Sequence, residues 1–218
     1  MSGYQEKKET YFSTARVDIE SMLPNFSSNV LEIGCATGNT LKWLKETGRC
    51  NLTHGFEFFE SAANQAKNCC DKIFLGDAEK IIHLNGLSKY DLILCLDVLE
   101  HMYDPWTFVK ALSKRLDQNG VMIVSLPNIR HLKIIMPLLF KGKWNYTDAG
   151  ILDKTHLRFF TLESSIDLLT VNELKLIQVK RNMGGISSIS SLVNLLTFGV
   201  FRELLTTQYL LKVSYSTE

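Results

Sequence analysis

Five short runs rich in β-branched and large apolar residues, NVLEI, NLTHGFE, KIFLG, YDLILCLD and GVMIVSLPN, are each followed by a helix-like stretch or a short connector. That alternation restricts the fold more than any other feature of the chain. It predicts a mostly parallel sheet with helices on both faces, a doubly wound α/β architecture. The fourth and fifth runs are almost continuously apolar, as strands buried on both faces must be, and belong at the centre of the sheet. Beyond Pro127 the pattern changes to a helix-like IRHLKIIMPLLF, a polar loop KGKWNYTDAGILDKTHLRFF, and a helix capped by Thr161 with Ser164 and Ser165 in its opening turns. Two late strands, ELKLIQVKRN and QYLLKVS, flank a helical insertion at about 185–205 that opens at Gly184-Gly185. With an N-terminal helical cap at about 1–25, the 218 residues form one domain, 1–218.

In doubly wound sheets ligands sit beyond the carboxyl ends of the strands, where strand order reverses. The positions at those ends are Glu32 to Gly38, Glu57 to Phe59, Gly76-Asp77-Ala78, Asp97 to His101, and Pro127-Asn128. Four of the five carry a carboxylate. A loop acid is unremarkable alone; the recurrence of acids along one rim is the stronger signal of a site.

Composition excludes several alternatives. The formal charge is +1 with both signs scattered, so the chain lacks the basic footprint that nucleic acid requires. Cys35, Cys50, Cys69, Cys70 and Cys95 are an odd number without metal-site spacing, as expected of a reducing, cytoplasmic protein. The polar N-terminus is not a secretory leader, and the apolar stretch from Ile189 to Val213 is broken by Arg202 and Glu203 short of the ~20 residues a membrane span needs. No metal ligand set is assigned.

The turn in VLEIGCATGNT does not fit a dinucleotide fingerprint, because Ala36 and Asn39 stand where G-x-G-x-x-G requires glycine. Nor is it a triphosphate-binding loop. Glu32-Ile33-Gly34-Cys35-Ala36-Thr37-Gly38 instead resembles the E/D-x-G-x-G-x-G motif of class I S-adenosylmethionine-dependent methyltransferases, with Ala36 in place of the middle glycine. That substitution is tolerated if residue 36 avoids positive φ. The resemblance implies a seven-stranded sheet with the last strand antiparallel, and S-adenosylmethionine as cofactor. It places Glu32 near the methionyl ammonium, directly or through water, with close backbone approach at Gly34, Cys35 and Gly38. Glu57 matches the acid that holds the ribose hydroxyls, Phe58 the apolar residue against adenine, and Asp77 with Ala78 the pair that recognises the adenine edge. Asp97 would lie beside the methionine end.

LDVLEHMYDPW is similar to the D-x-x-E-H-x-x-D-P segment of small-molecule methyltransferases, which turns Glu100 and His101 toward the acceptor. ILDKTHLRFFT resembles a segment of glycan-cluster methyltransferases, in which His156 could act on the acceptor and Arg158 hold an anionic or polyhydroxyl group. The plainer alternative is that Asp153 and Arg158 staple the loop. His101 and His156 are the two candidate bases. Asp97-x-x-Glu100-His101 also resembles a magnesium-binding spacing in ubiquinone-pathway O-methyltransferases, and metal dependence is left open. Tyr11 and Arg16 either touch cofactor or acceptor or are surface residues of the cap. The implied acceptor is a small molecule, a sugar or a lipid-linked compound. The apolar roof, Ile134 to Phe140 and Leu192 to Phe201, leaves room for a peripheral membrane contact and for a homodimer. Two rivals stand beside this reading: a non-catalytic S-adenosylmethionine-binding module, and a nicotinamide enzyme.

Overall fold

A computed structural model describes residues 14–83, 88–183, 199 and 201–215. Seven strands form one sheet: β1 (Ser27–Ile33), β2 (Cys50–Glu57), β3 (Lys72–Leu75), β4 (Tyr90–Leu96), β5 (Leu116–Pro127), β6 (Lys175–Asn182) and β7 (Gln208–Ser214). Their order is β3-β2-β1-β4-β5-β7-β6, so strand order reverses between β1 and β4. The strands from β1 to β5 pair in parallel, and β7 runs antiparallel to both neighbours. The helices are α1 (Asn39–Glu46), α2 (Glu60–Ala66), α3 (Ala78–Ile81), α4 (Pro105–Ser113), α5 (Leu132–Lys141), α6 (Leu162–Leu169) and α7 (Arg202–Leu205).

The central strands are continuously apolar because they feed two cores at once. Val30, Leu92, Leu94, Ile123 and Leu210 point to one face, where they pack with Leu41 and Leu44 of α1 and Ala66 of α2. Leu31, Ile93, Cys95, Met122, Val124 and Leu211 point to the other, against Phe108 and Leu112 of α4 and Leu168 of α6. Successive residues of a strand face opposite ways, so both phases of the alternation must be apolar. Each fully buried aliphatic side chain contributes about 2 kcal/mol through removal from water.

Local signals act as expected at several ends. Pro105 opens α4 behind Asp104, whose side chain accepts from the Thr107 N–H at 3.0 Å. Thr161 and Ser164 form a capping box on α6. The N-terminal cap differs from expectation. Its described part is a six-residue 3-10 turn, Val17–Met22, held by burial of Ile19 and Met22. Tyr11 and most of the segment at about 185–205 lie outside the described residues; the end of that segment forms α7. Among the described residues no helix is long and apolar enough to cross a membrane.

Candidate active site

A cavity of about 700 Å3 opens above the carboxyl ends of β1, β2, β3 and β4, and Glu32, Glu57, Asp77 and Asp97 all line it. The fifth strand end does not join them. Asn128 is fully buried and its amide donates to the Glu203 and Thr206 carbonyls, fastening the end of β5 to α7.

The turn after β1 is built on positive φ. Gly34, Ala36 and Gly38 have φ of 69°, 49° and 80°. Ala36 therefore does not meet the condition of avoiding positive φ. The cost, about 1 kcal/mol for a left-handed alanine, is offset by its N–H, which donates to Glu57 Oε2 at 2.8 Å. The Gly34 and Cys35 N–H groups both donate to the Phe56 carbonyl, at 2.8 and 3.0 Å, turning the chain over the end of β2. A Cβ on Gly34 would lie 2.7 Å from Val98 Cγ2, and one on Gly38 would lie 2.8 Å from the thiols of Cys69 and Cys70. Gly34→Ala is accordingly expected to lower stability by about 1–3 kcal/mol through left-handed strain and crowding, checked by urea unfolding. Cys35 packs into the space left by Gly55, where a Cβ would lie 2.4 Å from its sulfur. Burial drives its thiol far above the ordinary range, so it serves as an apolar wall.

Glu32 is 3% exposed, and its Oε2 is buried without a hydrogen-bond partner among the described residues. Burial pushes its carboxyl up to about 8, although a hydrogen bond from Thr40 and the charge of Arg16 pull it down. Glu57 is also raised, by burial first, while the Phe59 and Ala36 N–H groups that donate to its two oxygens oppose the shift. Asp77 caps α3, accepting from the Glu79 N–H at 3.0 Å. Phe58, 48% exposed, and Ala78 complete that end of the cavity.

Asp97 is already engaged. Its Oδ1 accepts from Ser125 Oγ at 2.9 Å and Gln208 Nε2 at 2.6 Å, and its Oδ2 from Arg16 Nη1 at 2.5 Å. Arg16 is thus no surface residue. It lines the cavity, pairs also with Asp18 at 2.9 Å, and these two carboxylates raise its guanidinium against the opposing effect of burial. Sequence reasoning noticed Arg16 without placing it, and missed Ser125 and Gln208 altogether, because partners this far apart in the chain leave no local signal.

At the other end stands His101, whose Nδ1 donates to the Thr155 carbonyl at 3.0 Å. His156 lies against it, ring centroids 4.6 Å apart and edge-to-face, and its Nδ1 donates to the Ile151 carbonyl at 3.0 Å. Carbonyls only accept, so in both rings Nδ1 carries the hydrogen of that bond. His156 is buried behind His101 and does not line the cavity wall; Tyr103, Thr155 and Leu157 do. Ligand atoms of Glu100, His101 and His156 lie within 4.8 Å of one another, close enough to hold a divalent ion after small movements. Asp97 is absent from that group, so the magnesium-like spacing does not form as such.

The loop before α6 is stapled rather than open. Asp153 Oδ1 accepts from the N–H and the hydroxyl of Thr155 at 2.9 and 2.6 Å. Arg158 donates to the Tyr103 carbonyl, lies over the Trp106 ring at 5.6 Å, and its N–H donates to the Glu100 carbonyl at 2.9 Å. These bonds carry His156 to His101.

A family model described as a methyltransferase domain matches residues 6–179. The chain belongs to the S-adenosylmethionine-dependent methyltransferases. Its sheet, with β7 antiparallel, is the Rossmann-like one implied by the motif resemblance. Among solved structures, a SAM dependent methyltransferase from Archaeoglobus fulgidus superposes with a TM-score of 0.65 at 16% identity, covering 94% of this chain and 96% of that one. A protein named ubiquinone biosynthesis O-methyltransferase from Glaesserella parasuis is 24% identical over 139 residues, 56% of this chain and 58% of its own length. One of the same name from Coxiella burnetii is 24% identical over 178 residues, 69% and 75% of the two chains. The chain therefore spans little more than half of the first of these methyltransferases.

The residues present fit S-adenosylmethionine. A buried carboxylate oxygen without a partner suits an ammonium group, and a cavity lined by acids and aromatic carbon suits a sulfonium nucleoside.

Proposed function

We propose that the chain transfers a methyl group to a small molecule, sugar or lipid-linked acceptor seated beside His101. The observation that carries this reading is the division of one cavity: strand-end acids and Phe58 at one end, His101 backed by His156 at the other. The cofactor, when bound, supplies an electrophilic methyl group on sulfur. Glu32 would pair with its ammonium, Arg16 with its carboxylate, Glu57 with the ribose hydroxyls, and Asp77 and Ala78 with the adenine edge against Phe58. Asp97 then acts through Arg16, as a positioning residue held by Ser125 and Gln208. Gly34, Cys35 and Gly38 shape the turn that lets the backbone approach. The five free thiols support a reducing compartment such as the cytoplasm, and the stapled segment from Ile129 to Phe160 would roof the acceptor within a single domain of 1–218.

In-line displacement asks the protein to align two atoms and, for a hydroxyl acceptor, to remove a proton. His101 can take that proton at Nε2 because Thr155 fixes the hydrogen on Nδ1. His156, buried behind it, orients the ring. His101→Gln is expected to lower turnover by about 10²–10³-fold with the affinity for S-adenosylhomocysteine unchanged. Release of S-adenosylhomocysteine against a panel of phenolic, sugar and lipid-linked acceptors measures the first, calorimetry the second. His156→Gln in addition should cost little more. If the wild type binds cofactor and turns over no acceptor, the chain is a binding module instead. NAD binding without any response to S-adenosylhomocysteine would sink both readings.

The cluster of Glu100, His101 and His156 favours a second reading, in which those side chains would hold a divalent ion that, when bound, would lower the pKa of an acceptor hydroxyl. Dialysis against a chelator decides between them. Unchanged turnover supports His101 as the base; loss restored by added Zn2+ or Mn2+ supports the ion.

A further inference from the structure

The helix α5, LKIIMPLLFK, is among the most apolar segments described, yet none of its ten residues is buried. Leu139 and Phe140 are 70% and 69% exposed. A helix of this composition ordinarily hides its stripe against the sheet; this one follows β5 with Met136, Leu138, Leu139 and Phe140 exposed and Leu132, Ile134 and Ile135 half-buried. Such a surface belongs against something apolar.

Charge indicates what. From residue 129 to residue 147 the chain carries Arg130, Lys133, Lys141 and Lys143 and no acid, whereas the whole chain has a net charge of only +1, so the remainder is net acidic. The three lysines are all exposed. A second copy of this chain would bring the same basic residues against themselves, or its acidic remainder against an apolar helix. A bilayer with anionic headgroups satisfies both parts of the pattern together: hydrocarbon for the leucines and phenylalanine, phosphate for the lysines. Trp144 and Tyr146 directly follow, residue types that sit at the headgroup level.

The same surface is joined to the cavity. Trp144 meets Phe159 edge-on at 5.4 Å, and Phe159 meets the ring of His156 at 6.4 Å, which in turn contacts His101. The loop between is closed by the Thr147 N–H donating to the Leu152 carbonyl and the Lys154 N–H donating to Thr147, and Lys154 lines the cavity. Chain docked through α5 would thus hold the acceptor end of the cavity close to the membrane surface.

We infer that α5 and the loop through Tyr146 form a peripheral docking surface for an anionic lipid bilayer. The inference rests on exposure and charge, and it survives even if the acceptor proves to be soluble.

The test is co-sedimentation of the full chain with phosphatidylcholine vesicles, with and without phosphatidylglycerol. Binding should require the anionic lipid and fall with added salt. Leu139→Glu with Phe140→Glu should abolish it, and Lys133→Gln, Lys141→Gln and Lys143→Gln together should weaken it about 100-fold, at roughly fivefold per charge. Melting temperature and S-adenosylhomocysteine affinity should not change in either variant, which separates this outcome from misfolding and from failure of the cofactor site. No binding to anionic vesicles overturns the inference. So does a wild type that is dimeric by light scattering and becomes monomeric in the Leu139→Glu, Phe140→Glu variant with vesicle binding intact, since α5 would then be covered by a second copy.

Discussion

Glu57→Ala is expected to lower the affinity for S-adenosylhomocysteine by at least about 100-fold. A carboxylate accepting from two ribose hydroxyls makes two charge-assisted hydrogen bonds, each contributing about 1.5–3 kcal/mol. The alanine removes both. It also strands the N–H groups of Ala36 and Phe59, which donate to the two oxygens at 2.8 Å each, so the turn after β1 loses its brace. Stability should fall by about 1–3 kcal/mol for each donor left buried and unpaired. Glu57→Gln keeps one acceptor oxygen and should retain most of the stability while binding about tenfold more weakly. Calorimetry and urea unfolding on the same three proteins separate the two effects. Affinity falling only in proportion to stability, with Glu57→Gln unaffected, would show that Glu57 braces the turn and does not touch the ligand.

Binding of S-adenosylhomocysteine near neutral pH should expel a proton from Glu32. Its folded-state carboxyl is pushed up to about 8 by burial, against an ordinary value of 4.5. Without ligand at pH 7 the group is mostly protonated; an ammonium beside Oε2 favours the carboxylate, so the proton leaves. Calorimetry in buffers of different ionisation enthalpy measures the number released, which should approach one at pH 7 and vanish in Glu32→Gln. That variant should also bind about 10- to 100-fold more weakly, having lost a charge-assisted contact in a dry site. The stability of the free protein follows the same linkage. Because the folded value is raised, the contribution of Glu32 is fully present below pH 4.5 and lost as pH rises through about 8. Glu32→Gln forms no charge and is spared that loss. Its stability relative to the wild type should therefore grow between about pH 5 and 8 and level off above, as a carboxyl raised to about 8 requires. A flat difference across that range would mean that Glu32 is ionised in the free protein.

Much of the fold was legible in the chain. Continuous apolar runs identified β4 and β5 as central because both phases of a two-residue period were occupied, and only a strand with cores on both sides uses both. Thr161 and Pro105 marked helix starts because capping is satisfied within a few residues. The acids at strand ends could be found from spacing, since a parallel strand delivers its carboxyl end to the same rim every time. Other features were not legible. The positive φ of Ala36 could not be read, because a propensity knows nothing of the Glu57 oxygen that receives its N–H. Arg16 was weighed as a surface residue because Asp97, the partner that draws it inward, is 81 positions away.

The amino-acid order by itself settled the strands of the sheet and the acids at their carboxyl ends, features governed by strict alternation or by contacts within a few residues. Tertiary structure alone decided how those groups are used: that Asp97 spends its oxygens on Arg16, Ser125 and Gln208, that His156 comes to rest against His101, and that α5 has no buried residue. The physical reason is that hydrogen bonds and burial between distant segments depend on where the folded chain brings them, and no local pattern encodes that distance.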